Sequence, residues 1–441
     1  MSAPLATADP AAATVSQAIR NDSLWLFSGY AATAGIGFVF WVVAALRVPP
    51  EALGADAALI SVFTAAAAIT SSGIGSAMVV MLPVAGGQRA HLVRVAYLAT
   101  VGIGLVAGLL AGGIAAAMLP AAGLPAGVTV ALVTAMTMVW AVFNVQDQVL
   151  TGLNAARWTL FLNGPANLAK LLLTVLLTVP LLAVAHPVVL ATILPAAAAA
   201  VLTVTWLVPR LLRQPVPVAA DAVDGSTGAG WPAALRAFAL RDTAAIGLLL
   251  GVGLLTPFLV TVLAGPTQGA LYAIAYQISV ALDLVNNGVA TALAKNSSGA
   301  RRTGIVLSGR LLGRVLVVVA LAAAAITAAT PLAFGLLGRG YDPARATLVV
   351  GLLSLGCLAR TPYGIWSSLL RAHQRVTPVL AGNASTAVVL VALAIVLVPD
   401  AGAAGAACAM LVSGLWAGAL GIVGLRRLRI QSTDQGGEHP C

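Results

Sequence analysis

Charged side chains are scarce in this chain. Only 8% of its 441 residues are Asp, Glu, Lys or Arg, whereas 60% are hydrophobic, and the mean hydropathy is +1.01. A water-soluble protein carries roughly a quarter charged residues because its surface must face water. The apolar residues come in runs of twenty or more, each long enough to cross a hydrocarbon layer of about 30 Å. The composition therefore excludes a soluble globule and predicts an all-α polytopic membrane protein.

Cysteine, histidine and cofactor-binding motifs are also nearly lacking. Cys357, Cys408 and Cys441 show no metal or redox spacing, so no disulfide framework is indicated. The sequence has no Gly-rich phosphate loop before a lysine and no His-x-x-x-His pair, so it predicts neither a cofactor nor a metal site. His186 and His373 lie beside turns and are interpreted as solvated loop residues.

The apolar runs, divided by proline, glycine and charge, predict about twelve transmembrane helices. The first run begins near Leu24 without a cleavage site before it, so it is interpreted as an uncleaved signal-anchor. The predicted spans are 24–46, 53–82, 92–118, 127–152, 159–184, 187–209, 237–264, 268–293, 307–334, 345–371, 376–398 and 402–425.

The distribution of basic residues predicts how the chain is oriented. The net charge is +10, and topology explains this excess better than a nucleic-acid ligand does. With both termini cytoplasmic, the outer loops hold only Arg47, Arg339 and Arg345, and nearly all other Lys and Arg residues lie on the inner side. This bias is a strong positive-inside signal for an even number of spans. We therefore expect a multi-pass protein of a bacterial inner (plasma) membrane.

A polar connection divides the chain into two halves of six spans each. It contains Gln214-Pro215-Val216-Pro217 and an Asp224-Gly225-Ser226-Thr227-Gly228 run, which are typical of a flexible linker. The predicted division is a cytoplasmic tail at 1–23, a first six-helix bundle at 24–209, a cytoplasmic linker at 210–236, a second six-helix bundle at 237–425 and a cytoplasmic tail at 426–441.

The two halves resemble each other in sequence. At an offset of 215, Gly54 aligns with Gly269 and Gly73 aligns with Gly288; at an offset of 218, Arg157 aligns with Arg375. Halves with an even number of spans enter the membrane from the same side. A pseudo-two-fold axis along the membrane normal can therefore relate them, as in several transporter classes, with the substrate path between them.

Polar residues recur at steps of three and four along the predicted fourth, fifth, eighth and tenth helices, so they share helix faces. Such faces avoid lipid and meet either neighbouring helices or a water-filled cavity. For isolated Ser and Thr residues the favoured interpretation is hydrogen bonding between helices. For the intramembrane charges Asp147, Lys170, Asp283 and Arg360 it is the cavity, since all four are estimated to lie near the midplane, where carrier sites usually lie.

These residues give the predicted site of a membrane carrier. The candidate ion-coupling residues are Asp147 and Asp283. The candidate substrate-binding residues are Lys170, Arg360, Asn144, Asn163, Asn167, Tyr276, Asn286 and Asn287. Two alternatives stay open for the bases: they bind an anion between the halves, or Lys170 neutralises Asp147 and Arg360 neutralises Asp283. The first pair is placed at similar depth on consecutive antiparallel helices, so we expect its members to be close.

Several short motifs resemble a known family. The stretch from Phe40 to Gly54, FWVVAALRVPPEALG, ends a helix in a small-Arg, Pro-Glu, Gly turn, and Ser71-Ser72-Gly73-Ile74-Gly75 closes the next helix. The stretch from Leu150 to Arg157, LTGLNAAR, forms an inner turn after the fourth helix. These features resemble polysaccharide flippases of the multidrug/oligosaccharidyl-lipid/polysaccharide (MOP) exporter superfamily, and the resemblance extends over nearly the whole chain through span count and duplication.

The resemblance implies a V-shaped, MATE-like pair of six-helix bundles with alternating access. It implies a lipid partner, an undecaprenyl-(pyro)phosphate-linked oligosaccharide, flipped from the inner to the outer leaflet for cell-surface polysaccharide or lipopolysaccharide biosynthesis. Cell-envelope glycan assembly enzymes are implied partners, and H⁺ or Na⁺ is an implied coupling ion. This chain departs from the family in one respect: flippases for pyrophosphate-linked sugars tend to have a clearly basic lumen, whereas two bases and two acids lie at mid-depth here.

Two other functions remain open on the sequence alone. A multidrug or toxin exporter of the same superfamily would use Asp147 or Asp283 for cation coupling. A non-transporting scaffold for cell-wall assembly would not need polar faces at the midplane. An enzyme is disfavoured, because no outer loop is long enough to hold the acidic residues of a membrane glycosyltransferase or polymerase.

Overall fold

The computed structural model describes residues 35–182, 184–214, 236, 239–297, 301–338, 340–372 and 377–434. Within 284–312 it describes at most the backbone. The predicted N-terminal tail and most of the predicted linker lie outside the described residues.

The described residues form helices joined by short turns. We number them α1 to α11 in chain order. They are α1 (Gly35–Arg47), α2 (Pro50–Met81), α3 (Arg89–Met118), α4 (Ala126–Gly152), α5 (Arg157–Leu177), α6 (Pro187–Leu212, with a π-helical turn at Thr203–Leu207), α7 (Leu248–Ala264, after a π-helical turn at Thr243–Gly247), α8 (Pro266–Ser297), α9 (Arg301–Leu336), α10 (Pro343–Ala372) and α11 (Thr377–Asp434).

The last helix supplies two membrane spans. α11 has 58 residues, which at about 1.5 Å per residue is far more than a bilayer requires. Gly402 interrupts it with φ 59° and ψ −133°, a conformation that favours glycine. The Gln268 side chain from α8 accepts a hydrogen bond at 3.2 Å from the Ala403 N–H, the first amide beyond the break. The predicted spans 376–398 and 402–425 therefore lie on either side of this break.

Proline fixes where several helices begin. α2, α6, α8 and α10 start at Pro50, Pro187, Pro266 and Pro343. Proline suits the first helical position because its φ is already helical and its missing N–H would have no partner there. These four starts lie at one end of the molecule, together with the α3–α4 turn and the Gly402 break. We call this the Pro50 end; by the charge distribution it is the predicted outer side.

The two halves of the chain meet across a shared apolar core. One cluster of buried side chains draws on α1, α2, α6, α8, α10 and α11, and it includes Trp41, Leu53, Val188, Ala270 and Val350. A second cluster, built from α2 to α6, lies toward the α4–α5 turn. The first half is therefore packed on itself, and it is joined to the second half mainly through α1 and α2.

The halves contact each other directly at the Pro50 end. The Thr261 hydroxyl of α7 donates a hydrogen bond to the Gly54 carbonyl oxygen at 3.4 Å. The Thr267 hydroxyl of α8 donates one to Glu51 Oε1 at 3.3 Å. A Cβ atom built on Gly54 would overlap the Pro266 carbonyl group. These contacts close the Pro50 end between α2 of the first half and the α7–α8 turn of the second.

Candidate functional site

An ion pair joins two helices of the second half inside the membrane-spanning region. The Arg360 guanidinium of α10 contacts the Asp283 carboxylate of α8. Each residue lies seventeen positions beyond the proline that begins its helix, and this corresponds to a depth of about 26 Å from the Pro50 end. The sequence predicts both charges at similar depth, and the structure brings them into contact. Of the two interpretations for Arg360, neutralisation by Asp283 is the one seen in this conformation.

Other polar groups surround this ion pair. The Cys357 thiol of α10 donates to Asp283 Oδ1 at 3.0 Å. Tyr276 of α8 interacts electrostatically with both Asp283 and Arg360, and its ring stacks on the Tyr272 ring at a centroid distance of 6.0 Å. The predicted site residue Tyr276 is therefore adjacent to the charge pair, while Cys357 is a member that sequence analysis did not include.

The ion pair is not sealed off. The Arg360 side chain is 37% exposed and that of Asp283 is 25% exposed, although both lie deep along their helices. Charged groups at this depth do not face hydrocarbon, because an unsolvated charge there is very costly. The exposed part of the pair is therefore inferred to face polar groups or water and not hydrocarbon.

In the first half, Asp147 bonds to an amide. Asn163 of α5 donates a hydrogen bond through Nδ2 to Asp147 Oδ2 of α4 at 2.8 Å. Within the described part of the chain, the other carboxylate oxygen of Asp147 and the Asn163 Oδ1 atom are buried without a hydrogen-bond partner. Tyr97 of α3 interacts electrostatically with Asp147, and its hydroxyl is likewise buried and unpartnered. Three helices thus present unsatisfied oxygen atoms in one neighbourhood.

Lys170 does not pair with Asp147, so that expectation was wrong. Its Nζ atom lies 3.8 Å from the centroid of the Phe40 ring of α1, and it makes no ion pair with any described carboxylate. Similar depth would require all ten residues from Asp147 to Arg157 to be helical, but the α4–α5 turn occupies four of them. Lys170 lies seven residues beyond Asn163, which places it about 10 Å deeper along α5.

The remaining predicted asparagines have separate positions. Asn144 of α4 donates to the Ser71 hydroxyl of α2 at 3.4 Å, which fits a helix-to-helix contact. Asn167 donates to the Asn163 carbonyl oxygen of its own helix at 2.8 Å. Asn286 and Asn287 lie on α8, but their side chains are outside the described residues.

A buried cluster at the Pro50 end escaped the sequence analysis. The Asp56 side chain of α2 is 2% exposed, and its Oδ1 atom lies 2.6 Å from His186 Nδ1. His186 Nε2 lies 2.9 Å from the Ala122 carbonyl oxygen. The interpretation of His186 as a solvated loop residue is therefore wrong, because both of its ring nitrogens have protein partners. An acidic residue in the first turns of α2 was the available sequence signal.

Comparison with known proteins identifies the fold. No protein-family model matches the chain, and no curated protein sequence matches it. Among solved structures, it is similar to an inward-facing multidrug resistance MATE family transporter of the MOP superfamily, with a TM-score of 0.65, 14% identity and coverage of 93% of this chain and 96% of that one. It is also similar to the lipid II flippase MurJ in an inward closed conformation, with a TM-score of 0.67, 13% identity and coverage of 92% and 90%.

A third similar structure is a MOP superfamily transporter from Pyrococcus furiosus, described by a binding pocket of reverse polarity. It gives a TM-score of 0.57 at 14% identity over 93% of this chain and 95% of that one. The predicted fold class is confirmed: the chain is an all-α, multi-pass membrane protein with the two-bundle fold of MOP transporters. These structural neighbours are transporters rather than enzymes. At these identities the likeness establishes the fold and leaves the substrate to be argued from the site.

Proposed function

We propose that this chain is an alternating-access carrier that flips an undecaprenyl-(pyro)phosphate-linked oligosaccharide from the inner to the outer leaflet of a bacterial plasma membrane. The flipped oligosaccharide would serve cell-surface polysaccharide biosynthesis, beside glycan assembly enzymes. The carrier consists of the bundles 24–209 and 237–425, joined by a cytoplasmic linker at 210–236. The tails 1–23 and 426–441 are cytoplasmic.

The observation that carries this proposal is the Lys170 ammonium. It lies well inside α5, over the Phe40 ring, and no described carboxylate neutralises it. A cation in this position is costly unless water or an anion compensates it. A phosphate group supplies that compensation through charge-assisted hydrogen bonds.

The second half contains another group that can bind an anion once it is released from its ion pair. The Arg360 guanidinium has five N–H donors in a planar fork that matches phosphate oxygens. Its 37% exposure leaves part of that fork open to the cavity while Asp283 holds the rest. A conformational change that separates α8 from α10 would free the guanidinium for an anionic substrate. Lys170 and Arg360 would then hold the headgroup from the two halves.

The test measures lipid-linked oligosaccharide on the two leaflets of cells carrying Lys170→Ala or Arg360→Ala. We expect the intermediate to accumulate on the inner leaflet in both, at normal protein level. Arg360→Lys keeps the charge and loses the fork, so it should flip more than Arg360→Ala and less than the native chain. Arg345→Ala is the matched control, because Arg345 is 69% exposed and pairs only with the nearby Asp342. Normal export by both alanine variants would refute the proposal.

A cation-coupled multidrug exporter is the second candidate. The buried, unpartnered oxygens of Asp147, Asn163 and Tyr97 favour it, because carboxylate, amide and phenol oxygens are ligands for a hard cation or a proton. We expect Asp147→Asn to abolish drug resistance under this alternative, whereas Lys170→Ala would leave resistance intact. A non-transporting assembly scaffold would tolerate both substitutions.

The proposed topology has a direct test. Single cysteines at Gly225, in the linker, and at Asp342, in the α9–α10 turn, should react with a membrane-impermeant maleimide from opposite sides. Intact cells should label the cysteine at position 342, and the cysteine at position 225 should label only after permeabilisation. Labelling of both from the same side would contradict the three spans predicted between them, and with them the twelve-span model.

A further inference from the structure

The Asp56–His186 cluster ties three segments of the first half together at the Pro50 end. Asp56 lies in the first turns of α2, Ala122 lies within the α3–α4 turn, and His186 immediately precedes α6. Asp56 Oδ1 lies 2.6 Å from His186 Nδ1, and Asp56 Oδ2 accepts a hydrogen bond from the Val188 N–H at 2.9 Å. His186 Nε2 lies 2.9 Å from the Ala122 carbonyl oxygen. We call this set of contacts the clasp.

The partners of the clasp determine how many protons it holds. The Ala122 carbonyl only accepts, so His186 Nε2 must carry a hydrogen. His186 Nδ1 and Asp56 Oδ1 are 2.6 Å apart, so a second proton must lie between them. The neutral imidazole has a single N–H, so loss of that proton would leave one ring lone pair facing an acceptor oxygen, either Asp56 Oδ1 or the Ala122 carbonyl. The clasp is therefore closed with one more proton than the neutral imidazole and aspartate ion provide.

The backbone at the clasp is held in an uncommon conformation. His186 has φ 56° and ψ 53°, the left-handed region, which costs a residue other than glycine roughly 1 kcal/mol or more. Such a conformation persists only where surrounding contacts impose it. The two ring hydrogen bonds and the Val188 bond to Asp56 are those contacts, so breaking them releases the start of α6.

The clasp adjoins the surface where the two halves meet. Val188, held by Asp56, belongs to the same buried cluster as Leu53 and Ala270, and Ala270 comes from the second half. Asp56 is two residues beyond Gly54, which abuts Pro266. A change at the clasp therefore acts on side chains that close the Pro50 end.

We propose that the Asp56–His186 clasp is a proton-dependent lock that favours the closed state of the Pro50 end. With the shared proton in place, α6 and the α3–α4 turn are fixed on α2, and Val188 fills the interface with the second half. Without it, the start of α6 relaxes and the closure weakens. This regulation is independent of the transported substrate.

The direction of the pH dependence follows from the surroundings of His186. The hydrogen bond with Asp56 raises the pKa of His186 above its ordinary value, against a smaller opposing effect of burial. The clasp is therefore complete below the ordinary pKa of about 6.5 and is lost as the pH rises through the raised pKa. The other ionisable groups on the neighbouring segments are turned elsewhere: Glu51 accepts from Thr267, and Arg47 is exposed at the end of α1.

Asp56→Asn provides a test because it should reverse the direction of the pH dependence of the clasp. The asparagine side chain can accept from the Val188 N–H through its amide oxygen and donate through its amide nitrogen to an unprotonated His186 Nδ1, so it keeps every contact of the clasp without the shared proton. Protonation of His186 would then place two donors face to face. We expect the clasp of the Asp56→Asn variant to be closed at alkaline pH and open at acidic pH, opposite to the native chain.

The readout is a cysteine that is buried when the Pro50 end is closed. Ala270 is 0% exposed, so Ala270→Cys should react with an impermeant maleimide only when that end opens. The rate of maleimide labelling at position 270 is measured in Ala270→Cys with and without Asp56→Asn. The labelling of the native cysteines is subtracted as background. Dividing the two rates at one pH removes the intrinsic pH dependence of the thiol.

We expect the cysteine at position 270 to label roughly fivefold slower with Asp56→Asn than without it well above the histidine pKa. Well below that pKa, it should label roughly fivefold faster with Asp56→Asn than without it. If Asp56→Asn slows labelling at both pH values, or accelerates it at both, the role of Asp56 is purely structural and the proposal is overturned. If the Asp56→Asn variant does not fold, the nitrogen NMR shifts of His186 in nanodiscs decide: retention of both ring protons well above pH ~6.5 supports the shared proton. Titration at the ordinary value overturns it.

Discussion

Replacing Gly54 by alanine should weaken the closure of the Pro50 end. Gly54 of α2 faces the start of α8, and a Cβ atom there would overlap the Pro266 carbonyl group, with the carbonyl carbon at 2.5 Å and Cα at 2.9 Å. These atoms belong to backbone, so they cannot turn aside as a flexible side chain would. Because Gly54 and Pro266 belong to different halves, relief requires the halves to separate at this point.

The size of the effect follows from this overlap. Adding a methyl group to a filled interface costs about 1–3 kcal/mol when backbone must move. The cost applies to the closed state and is absent once the Pro50 end has opened. The equilibrium should therefore shift toward the open state by roughly 5- to 150-fold. The Thr261 hydrogen bond to the Gly54 carbonyl oxygen should lengthen with the same movement, since it is already 3.4 Å.

The maleimide reaction of Ala270→Cys measures this shift. We expect Gly54→Ala to accelerate labelling by roughly fivefold or more at constant pH. Gly102→Ala on α3 is the matched control: its helix position is exposed and a Cβ atom there meets nothing within 4 Å. An unchanged rate in Gly54→Ala, with full protein level, would show that this contact does not hold the halves together.

Two predictions concern whether the stability losses of two substitutions add, one for the charged residues of each half. Asp147 and Lys170 are not in contact, so the stability losses of Asp147→Asn and Lys170→Met should add within about 0.5 kcal/mol in the double variant; a larger coupling would contradict their separation. Asp283 and Arg360 are in contact, so their double variant should be milder than the sum by about 0.5–3 kcal/mol. Unfolding in detergent, followed by circular dichroism, measures both cycles.

Much of the fold is predictable from sequence because bilayer physics leaves few choices. Apolar length sets the spans, and the described helices lie at the predicted positions. The predicted spans 376–398 and 402–425 leave a turn at 399–401, and the structure places the break at Gly402, inside a helix of 58 residues. The predicted fifth span to residue 184 ends instead at Leu177, because α5 closes before Pro180.

The site is less predictable because side-chain contacts depend on register at turns. Treating the α4–α5 turn as helix moved Asp147 by about four residues relative to α5, and this selected Lys170 in place of Asn163 as its partner. For Asp283 and Arg360 the similar depth agrees with their contact, because the residues counted back from Lys295 and Arg375 lie almost entirely within one helix each. The Asp283–Arg360 contact was therefore one of the alternatives readable from the sequence, whereas Asn163 as the partner of Asp147 was not.

The clasp shows why some functional candidates have little sequence signal beyond one acidic residue near a helix start. Asp56 and His186 are 130 residues apart, and neither forms part of a periodic polar face. His186 takes up a left-handed conformation that is uncommon for any residue other than glycine, so local propensity does not predict it. What identifies the pair is the combination of near-complete burial and two acceptors around one imidazole, which only the folded arrangement reveals.

The two halves share a framework but differ in electrostatics, and this difference bears on transport. In the second half, the cation is paired with its carboxylate; in the first, Lys170 lies over an aromatic ring and Asp147 bonds to a neutral amide. An anion entering between the halves would meet Lys170 without first breaking an ion pair, and would reach Arg360 only by displacing Asp283. Binding to the first half should therefore precede binding to the second, and the energy of displacing Asp283 would tie substrate binding to movement of α8 against α10.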